Sequence, residues 1–393
     1  MGLDVAAVQA ALRADALDGW LLYDFHGSNP IAAGMTGAGR RGHMTTRRWY
    51  YLIPAQGQPT AIVHAIERHN LDHLPGETIV YAGRQQLDDA VKGMLKGLGR
   101  VAMEYSPLGA IPYLSRLDAG TAEMIRRHGI DIVSSGDLVQ RFAATWTAEQ
   151  LATHRSASDA LYRIKDRAFE AASSALAAGR PLSEYELQQQ MTAWFREERL
   201  VSDSPPVVAV GPNAGNPHYL PTADHFRAIG PDEVLLLDLW GKHDDEGAVF
   251  ADITWVGFTA ARVPEEPARA FQAIVEARDA AVALVQTAAQ EGRDLRGWEV
   301  DRAARTVLDT AGYGRHILHR TGHSLGETVH GNGVHMDDYE THDDRRLLPG
   351  TGFTVEPGLY FESFGVRTEI NVFRGERGAD VTGVRQTGIV TLR

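Results

Sequence analysis

Cysteine is absent from the chain. That excludes disulfides, thiolate metal ligands and a cysteine nucleophile. Any metal site here must be built from carboxylates and imidazoles. Long apolar runs are missing too: no stretch reaches the roughly 18 residues a membrane-spanning helix needs. The amphipathic start carries Asp4, Asp15 and Asp18 and does not read as a secretory leader. An excess of positive charge is also missing, with 39 Lys and Arg against 51 Asp and Glu and a formal net charge of −12. Nucleic acids and anionic membranes demand clustered cations. The pairs Arg40–Arg41 and Arg47–Arg48 read instead as a loop leading into a strand at Trp49-Tyr50-Tyr51. Neither a nucleic acid nor a membrane is expected as a partner, and a cytoplasmic location is the expectation.

What is present fits a large folded chain. Apolar residues make up 44% of 393 residues, enough for two domains with ordinary cores. Up to about residue 145, strand-like runs such as WLLYDF, WYYLIP and TAIVHA alternate with helix-like runs such as LDDAVKGMLKGL. That alternation predicts a layered α/β domain over 1–145. The pattern then changes. Thr147 with Gln150 and Ser183 with Glu186 are capping boxes that open two helices. Strand-like runs follow at 207–211 and 233–241. The same order of helix, helix and strands recurs from Pro264 to Phe373. This repetition predicts a pseudo-twofold α+β domain over 146–393.

Acids stand inside the apolar strands of both halves. Asp238 lies in EVLLLDLW and Asp252 in AVFADITWVGF, separated by the polar GKHDDEG. A hairpin turn centred near Asp245 makes paired numbers sum to 490 and sets Asp238 opposite Asp252. Glu356 in GFTVEPGLYF and Glu369 in GVRTEINVF face each other in the same way around a turn near Glu362–Gly365. Like charges placed directly opposite are destabilising. Buried carboxylates stay together when they share a proton or bind a cation. HRTGHSLGETVH then places His319, His323 and His330 within one short segment. Four carboxylates and a histidine suit a pair of divalent cations with hard ligands, Mn²⁺ first, with Zn²⁺ or Co²⁺ as alternatives. The zinc-helix motif is excluded, because Gly322 interrupts the spacing and no glutamate follows His319.

The order Asp238, Asp252, His323 in TGHSLG, Glu356 in FTVEPGLY and Glu369 in GVRTEI resembles the pita-bread metallopeptidases, in the branch of prolidase and aminopeptidase P. The resemblance implies a C-terminal pita-bread (creatinase/aminopeptidase-like) domain preceded by an α/β creatinase-type domain. It implies that Asp238, Asp252, His323, Glu356 and Glu369 hold two metals, with Glu356 as proton carrier for a bridging hydroxide. It assigns His218, in GPNAGNPHY, and His330 to substrate and catalysis. It sets His319 near the substrate and Arg367 in support of the metal carboxylates. The implied reaction is cleavage of the Xaa-Pro bond of dipeptides, by a homodimer. Aminopeptidase P activity on longer peptides and a metal-dependent reaction on a small non-peptide metabolite stay open as alternatives. The chain departs from the family at three places. The Asp238–Asp252 spacing is longer than usual, with the extra residues assigned to the KHDDE loop. Trp255 follows Thr254 where the family has arginine, and Gly331 stands where the family has an acid. His316 and His335 match nothing and are expected at the surface or rim.

Overall fold

The computed structural model describes residues 3–39 and 44–392, in two compact units that divide between Ala143 and Ala144. The expected loop at Arg40–Arg41 lies outside the described residues.

The N-terminal unit runs α1 (Val5–Ala14), β1 (Gly19–Asp24), α2 (Pro30–Thr36), β2 (Trp49–Pro54), β3 (Thr60–His64) and β4 (Glu77–Tyr81). It continues with α3 (Arg84–Met94), β5 (Arg100–Met103), α4 (Ala119–Arg126), β6 (Asp131–Ser134) and α5 (Gly136–Ala143). The strands form one mixed sheet in the order β4-β3-β2-β1-β5-β6. β1 is buried along its whole length because both faces are covered. Trp20 and Leu22 pack with α1, α2 and α5. Leu21 and Tyr23 point the other way and pack with α3 and α4. Alternation along a strand sends neighbours to opposite faces. A strand apolar at every position therefore specifies a three-layer unit, and each fully buried large side chain contributes about 1.5–3 kcal/mol.

The C-terminal unit opens with α6 (Ala148–Ala177) and α7 (Glu184–Glu197), whose capping boxes at Thr147 and Ser183 are formed. β7 (Leu200–Val201), β8 (Val207–Val210), β9 (Val234–His243) and β10 (Ala251–Phe258) follow. The second half repeats the order with α8 (Glu265–Glu291), α9 (Gly297–Thr310), β11 (Ser324–Leu325), β12 (Thr351–Val355) and β13 (Gly358–Tyr360). It ends with β14 (Gly365–Arg367), β15 (Ile370–Arg374), β16 (Ala379–Val381) and β17 (Val390–Thr391). One sheet runs β17-β10-β9-β7 with β8 also on β9, and another runs β11-β12-β15-β16. They meet where Glu369 N–H donates to Thr254 O at 3.2 Å and the Asn371 amide brackets the Asp252 backbone at 2.7 and 3.0 Å.

The register of the first hairpin corrects the sequence reading. Asp238 pairs with Thr254, and Asp252 pairs with Trp240. The turn is centred one residue later than expected because β9 continues to His243, where β7 pairs with its end. The two aspartates share a face but lie diagonally, which relieves the like-charge contact of direct opposition. The second hairpin keeps one register on both sides of a break. Val355 pairs with Ile370, and Gly358 pairs with Arg367. Glu356 and Glu369 stand in the gap. Pro357 has no N–H to continue the ladder. The freed backbone turns elsewhere, with Glu356 N–H donating to Thr321 O at 2.7 Å. The single strands expected over 352–361 and 365–373 are therefore each split at the acid.

Candidate metal centre

All the cluster residues come from strands or strand ends of the C-terminal unit. Asp238 rises from β9 and Asp252 from β10. His323 immediately precedes β11, Glu356 follows β12 and Glu369 precedes β15. His323 Nε2 lies 3.6 Å from Asp252 Oδ2 and 3.5 Å from Glu356 Oε1. Asp252, His323 and Glu369 each offer a ligand atom within 4.8 Å of the others.

Asp238 adjoins this group but is held by Arg367, whose Nη2 donates to Asp238 Oδ2. The same guanidinium donates from Nε to Thr254 Oγ1 at 3.0 Å and from Nη1 to the Tyr360 hydroxyl at 2.9 Å. Thr254 in turn donates to Glu369 Oε2 at 2.7 Å. One buried cation thus fixes carboxylates from both sheets.

The electrostatics are those of too many acids in too little solvent. Burial pushes the Asp252 carboxyl well above the usual range, and Asp238 and Glu356 push it further. Glu369 is raised in the same way, by burial first and then by Asp252. Burial also raises Asp238, against the pull of Arg367. Glu356 goes the other way: burial works to raise it, but His323, His319 and Arg367 together hold it below the usual range. Burial lowers His323 and His319, which favours the neutral ring a metal ligand requires.

Two fully buried oxygens, Asp252 Oδ1 and Glu369 Oε1, have no hydrogen-bond partner among the described residues. An unpaired buried carboxylate costs several kcal/mol. Those two oxygens, with the neutral His323 beside them, are what a divalent cation would satisfy, and the donor set is the hard, mixed one that suits Mn²⁺, Co²⁺ or Zn²⁺.

The remaining site candidates are distributed unevenly. His319 is half-buried, its Nε2 2.7 Å from the Tyr360 hydroxyl and its Nδ1 2.6 Å from Arg320 O. The His330 ring meets the His323 ring edge to face at 4.4 Å; one side is open to solvent, while the crowded side lowers its pKa. His218 is exposed, and its backbone N–H donates to Asn216 Oδ1 at 3.1 Å. His243 sits at the end of β9, bonded to Ser156 Oγ at 2.9 Å. His335 corrects the expectation of a surface or rim position, whereas the half-buried His316 keeps one. The His316 ring packs on Phe361 at 4.0 Å, and His335 is fully buried with Nδ1 accepting from Ser324 N–H.

Residues 158–375 match metallopeptidase family M24. The chain belongs to this family. It is 33% identical to the Xaa-Pro dipeptidase of Lactobacillus helveticus over 165 residues, 42% of this chain and 40% of that protein. The alignment therefore spans less than half of the curated relative. In fold, the whole M24 chain resembles dipeptidase PepE from Mycobacterium ulcerans, with a TM-score of 0.72 at 22% identity over 99% of this chain and 96% of that one. It also resembles prolidase from Thermococcus sibiricus, with a TM-score of 0.67 at 23% identity over 100% and 99% of the two chains.

The departures from the M24 pattern have physical explanations here. Trp255 points to the sheet face opposite Asp238 and Asp252, with its ring under the Lys165 ammonium at 3.8 Å. Its substitution is absorbed by packing with α6. Gly331 has no room for a side chain, since a Cβ would meet Leu325 C and Ser324 Oγ at 2.9 Å. Thr254, Thr354, Tyr360 and Asn371 carry no site role in the sequence reading, yet each orients a member of this centre. Strand period was the available signal for two of them. Thr254 is two residues past Asp252 and Asn371 two past Glu369, so each shares its neighbour's face.

His323 is positioned by close backbone contact. Its N–H donates to Thr354 Oγ1 at 2.9 Å, and Thr354 N–H returns a bond to His323 O at 2.8 Å. A Cβ on Gly322 would stand 2.0 Å from Thr354 O. Gly322→Ala is therefore expected to displace His323 and lower kcat/KM by about 10²-fold, since shifts near 1 Å cost that much. Parallel metal analysis should show reduced occupancy with the fold retained by circular dichroism. Wild-type activity in this variant would show that the close approach does not position His323.

Proposed function

We propose that this M24 enzyme hydrolyses the Xaa-Pro bond of dipeptides, with two divalent cations, Mn²⁺ by preference, held by Asp238, Asp252, His323, Glu356 and Glu369. The observation that carries the reading is the pair of buried, partnerless oxygens on Asp252 and Glu369 beside a neutral histidine. The dipeptide substrate is supported by the 33% identical relative, itself an Xaa-Pro dipeptidase. Bound in this cluster, the cations supply an activated water and a positive clamp on the scissile carbonyl.

The chain's own groups then have distinct tasks. Glu356, held below the usual carboxylate range with Arg367 as its permanent neighbouring cation, accepts a proton from the attacking water and delivers it to the departing proline nitrogen. An Xaa-Pro amide has no N–H, so this delivered proton is what makes the nitrogen a leaving group. His330, neutral at pH 7 and open to solvent on one side, donates to the developing oxyanion. His319, tied to Tyr360, borders the proline ring, and His218 contacts the substrate from its exposed segment. Arg367 keeps Asp238 ionised and in place. Residues 1–145 form the creatinase-type domain and 146–393 the catalytic domain. The working form is a cytoplasmic homodimer.

The test is a matched substrate set of Xaa-Pro dipeptide, Xaa-Pro tripeptide and Xaa-Ala dipeptide, run with Mn²⁺, with Zn²⁺ and after chelation. Cleavage of the Xaa-Pro dipeptide alone, lost on chelation and restored by Mn²⁺, is the expected result. Equal cleavage of the tripeptide would replace the dipeptide assignment with aminopeptidase P activity. Two bound metals per chain and no cleavage of any substrate would overturn the peptide assignment and direct the search to small non-peptide metabolites.

A further inference from the structure

The N-terminal unit contains a crevice of about 550 Å³ that the metal chemistry does not use. It opens at one end of the sheet. β1 ends there at Asp24, β3 at His64 and β4 at Tyr81, and antiparallel β2 begins there at Trp49. The starts of α3 and α4 form its rim, through Gly83, Arg84, Asp118 and Gly120. The carboxyl ends of strands, below helix N-termini, are where open α/β sheets take ligands.

Its polar groups are arranged for an anion. Arg47, Arg48 and Arg84 all line the crevice. Arg48 is half-buried, and neither its guanidinium nor that of Arg84 has a hydrogen-bond or ion-pair partner among the described residues. The nearby acids are already engaged. Asp118 accepts from Tyr23 at 3.1 Å and from Thr121 N–H at 2.8 Å. Glu67 accepts from the Thr46 hydroxyl and from the backbone N–H of Thr46 and Arg47. Gly83 caps α3 with no side chain of its own; Gln86 Oε1 accepts from Ala82 and Gly83 N–H at 2.9 and 3.1 Å, and the N–H groups of Arg84 and Gln85 have no side-chain acceptor among the described residues.

A buried polar group also lies close to the crevice. Tyr50 is fully buried, and its hydroxyl has no partner among the described residues. It pairs across the sheet with Tyr23, stacks near it at 4.9 Å, and lies two residues from Arg48 on the same strand face. Its hydroxyl lies near Arg48, Tyr81 and Asp118, behind the residues that line the crevice. Around these polar groups the walls are apolar: Phe25, Leu87, Met124 and the edge-to-face pair of His64 and Tyr81.

We propose that this crevice binds a small organic oxyanion, a phosphate or carboxylate on a ring-sized apolar body, with Arg48 and Arg84 holding the charge and Phe25, Leu87 and Met124 enclosing the body. This is a binding site separate in sequence from the metal cluster and independent of the peptidase reading.

Calorimetric titration of the full-length, metal-loaded protein tests it, with phenyl phosphate, benzoate, inorganic phosphate and neutral benzyl alcohol. Phenyl phosphate or benzoate should bind about tenfold or more tighter than either inorganic phosphate or benzyl alcohol, and the preferred member of the pair identifies the oxyanion. R84M, at an exposed position that the fold does not need, should weaken that binding about tenfold, and R48M at least as much. Oxyanions also reach metal centres, so Glu369→Gln serves as the control and should leave this binding intact. The proposal is overturned by an absence of binding at millimolar ligand, by affinity unchanged in R84M, or by binding that disappears with Glu369→Gln.

Discussion

Replacing Glu369 with Gln is expected to stabilise the metal-free chain and to remove its peptidase activity. Glu369 Oε1 and Asp252 Oδ1 lack partners among the described residues, and burial holds both carboxyls well above the usual range. The folded state therefore keeps protons that the unfolded chain releases. The stability this pair contributes is present at acid pH and is lost as pH rises from the unfolded carboxylate range through the raised folded values. Gln has the same shape without the charge. The variant should exceed metal-free wild type by about 1–4 kcal/mol near neutral pH in urea unfolding, the range seen when buried charges are replaced by neutral groups. That gap should close as pH approaches the ordinary carboxylate range. With Mn²⁺ or Zn²⁺ present the order should reverse, because wild type gains ligand binding energy that the variant cannot match. Turnover should fall by roughly 10³-fold or more, since the activated water and the carbonyl clamp are together worth several kcal/mol. A variant that unfolds more easily than metal-free wild type at neutral pH would show that Glu369 is structural.

The features legible in the sequence were those that rest on local chemistry. The capping boxes at Thr147 and Ser183 predict α6 and α7, and the structure has them. The apolar run WLLYDF predicts a strand of a layered α/β unit, and β1 is that strand, covered on both faces. Acids inside apolar strands mark Asp238, Asp252 and Glu369 as buried. What could not be read depends on partners distant in sequence. The register of the first hairpin is shifted because β7 extends β9, a contact between residues forty positions apart that no turn residue announces. Pro357 signals a broken strand but not where the freed Glu356 N–H goes, which is Thr321. His335 looks like a loop histidine, and burial against Ser324 and Asp343 is a tertiary outcome. His218 lies in a segment whose anchor is also distant in sequence. Its segment is anchored by Glu184, whose buried carboxylate accepts from Val210 N–H, Asn213, Tyr219 and Arg227 N–H, yet the His218 ring stays exposed.

Arg367→Met is expected to be the most destabilising single change at the site. The guanidinium is buried and uses each of its three nitrogens on a different element: Asp238 on β9, Thr254 on β10 and Tyr360 on β13. Met fills similar volume and removes every one of these bonds. Asp238 then holds a buried charge with no counterion, and losing one partner of a buried pair costs about 3–5 kcal/mol. Burial of Tyr360, whose hydroxyl is pushed up to about 12, leaves that group neutral and unable to substitute for the cation. Lys in place of Arg367 restores a positive charge but not the planar fork, so it should recover only part of the loss. Adding Asp238→Asn to Arg367→Met removes the orphaned charge and should return about half of the lost stability, which a structural role confined to packing would not do. Metal should also protect Arg367→Met more than it protects wild type, because a cation near Asp238 replaces the missing counterion. Urea melts of the three variants, with and without Mn²⁺, decide the matter. Strict additivity of Arg367→Met and Asp238→Asn would mean that the two residues do not act as a pair, and that the link between the two sheets runs through the Thr254 and Asn371 contacts instead.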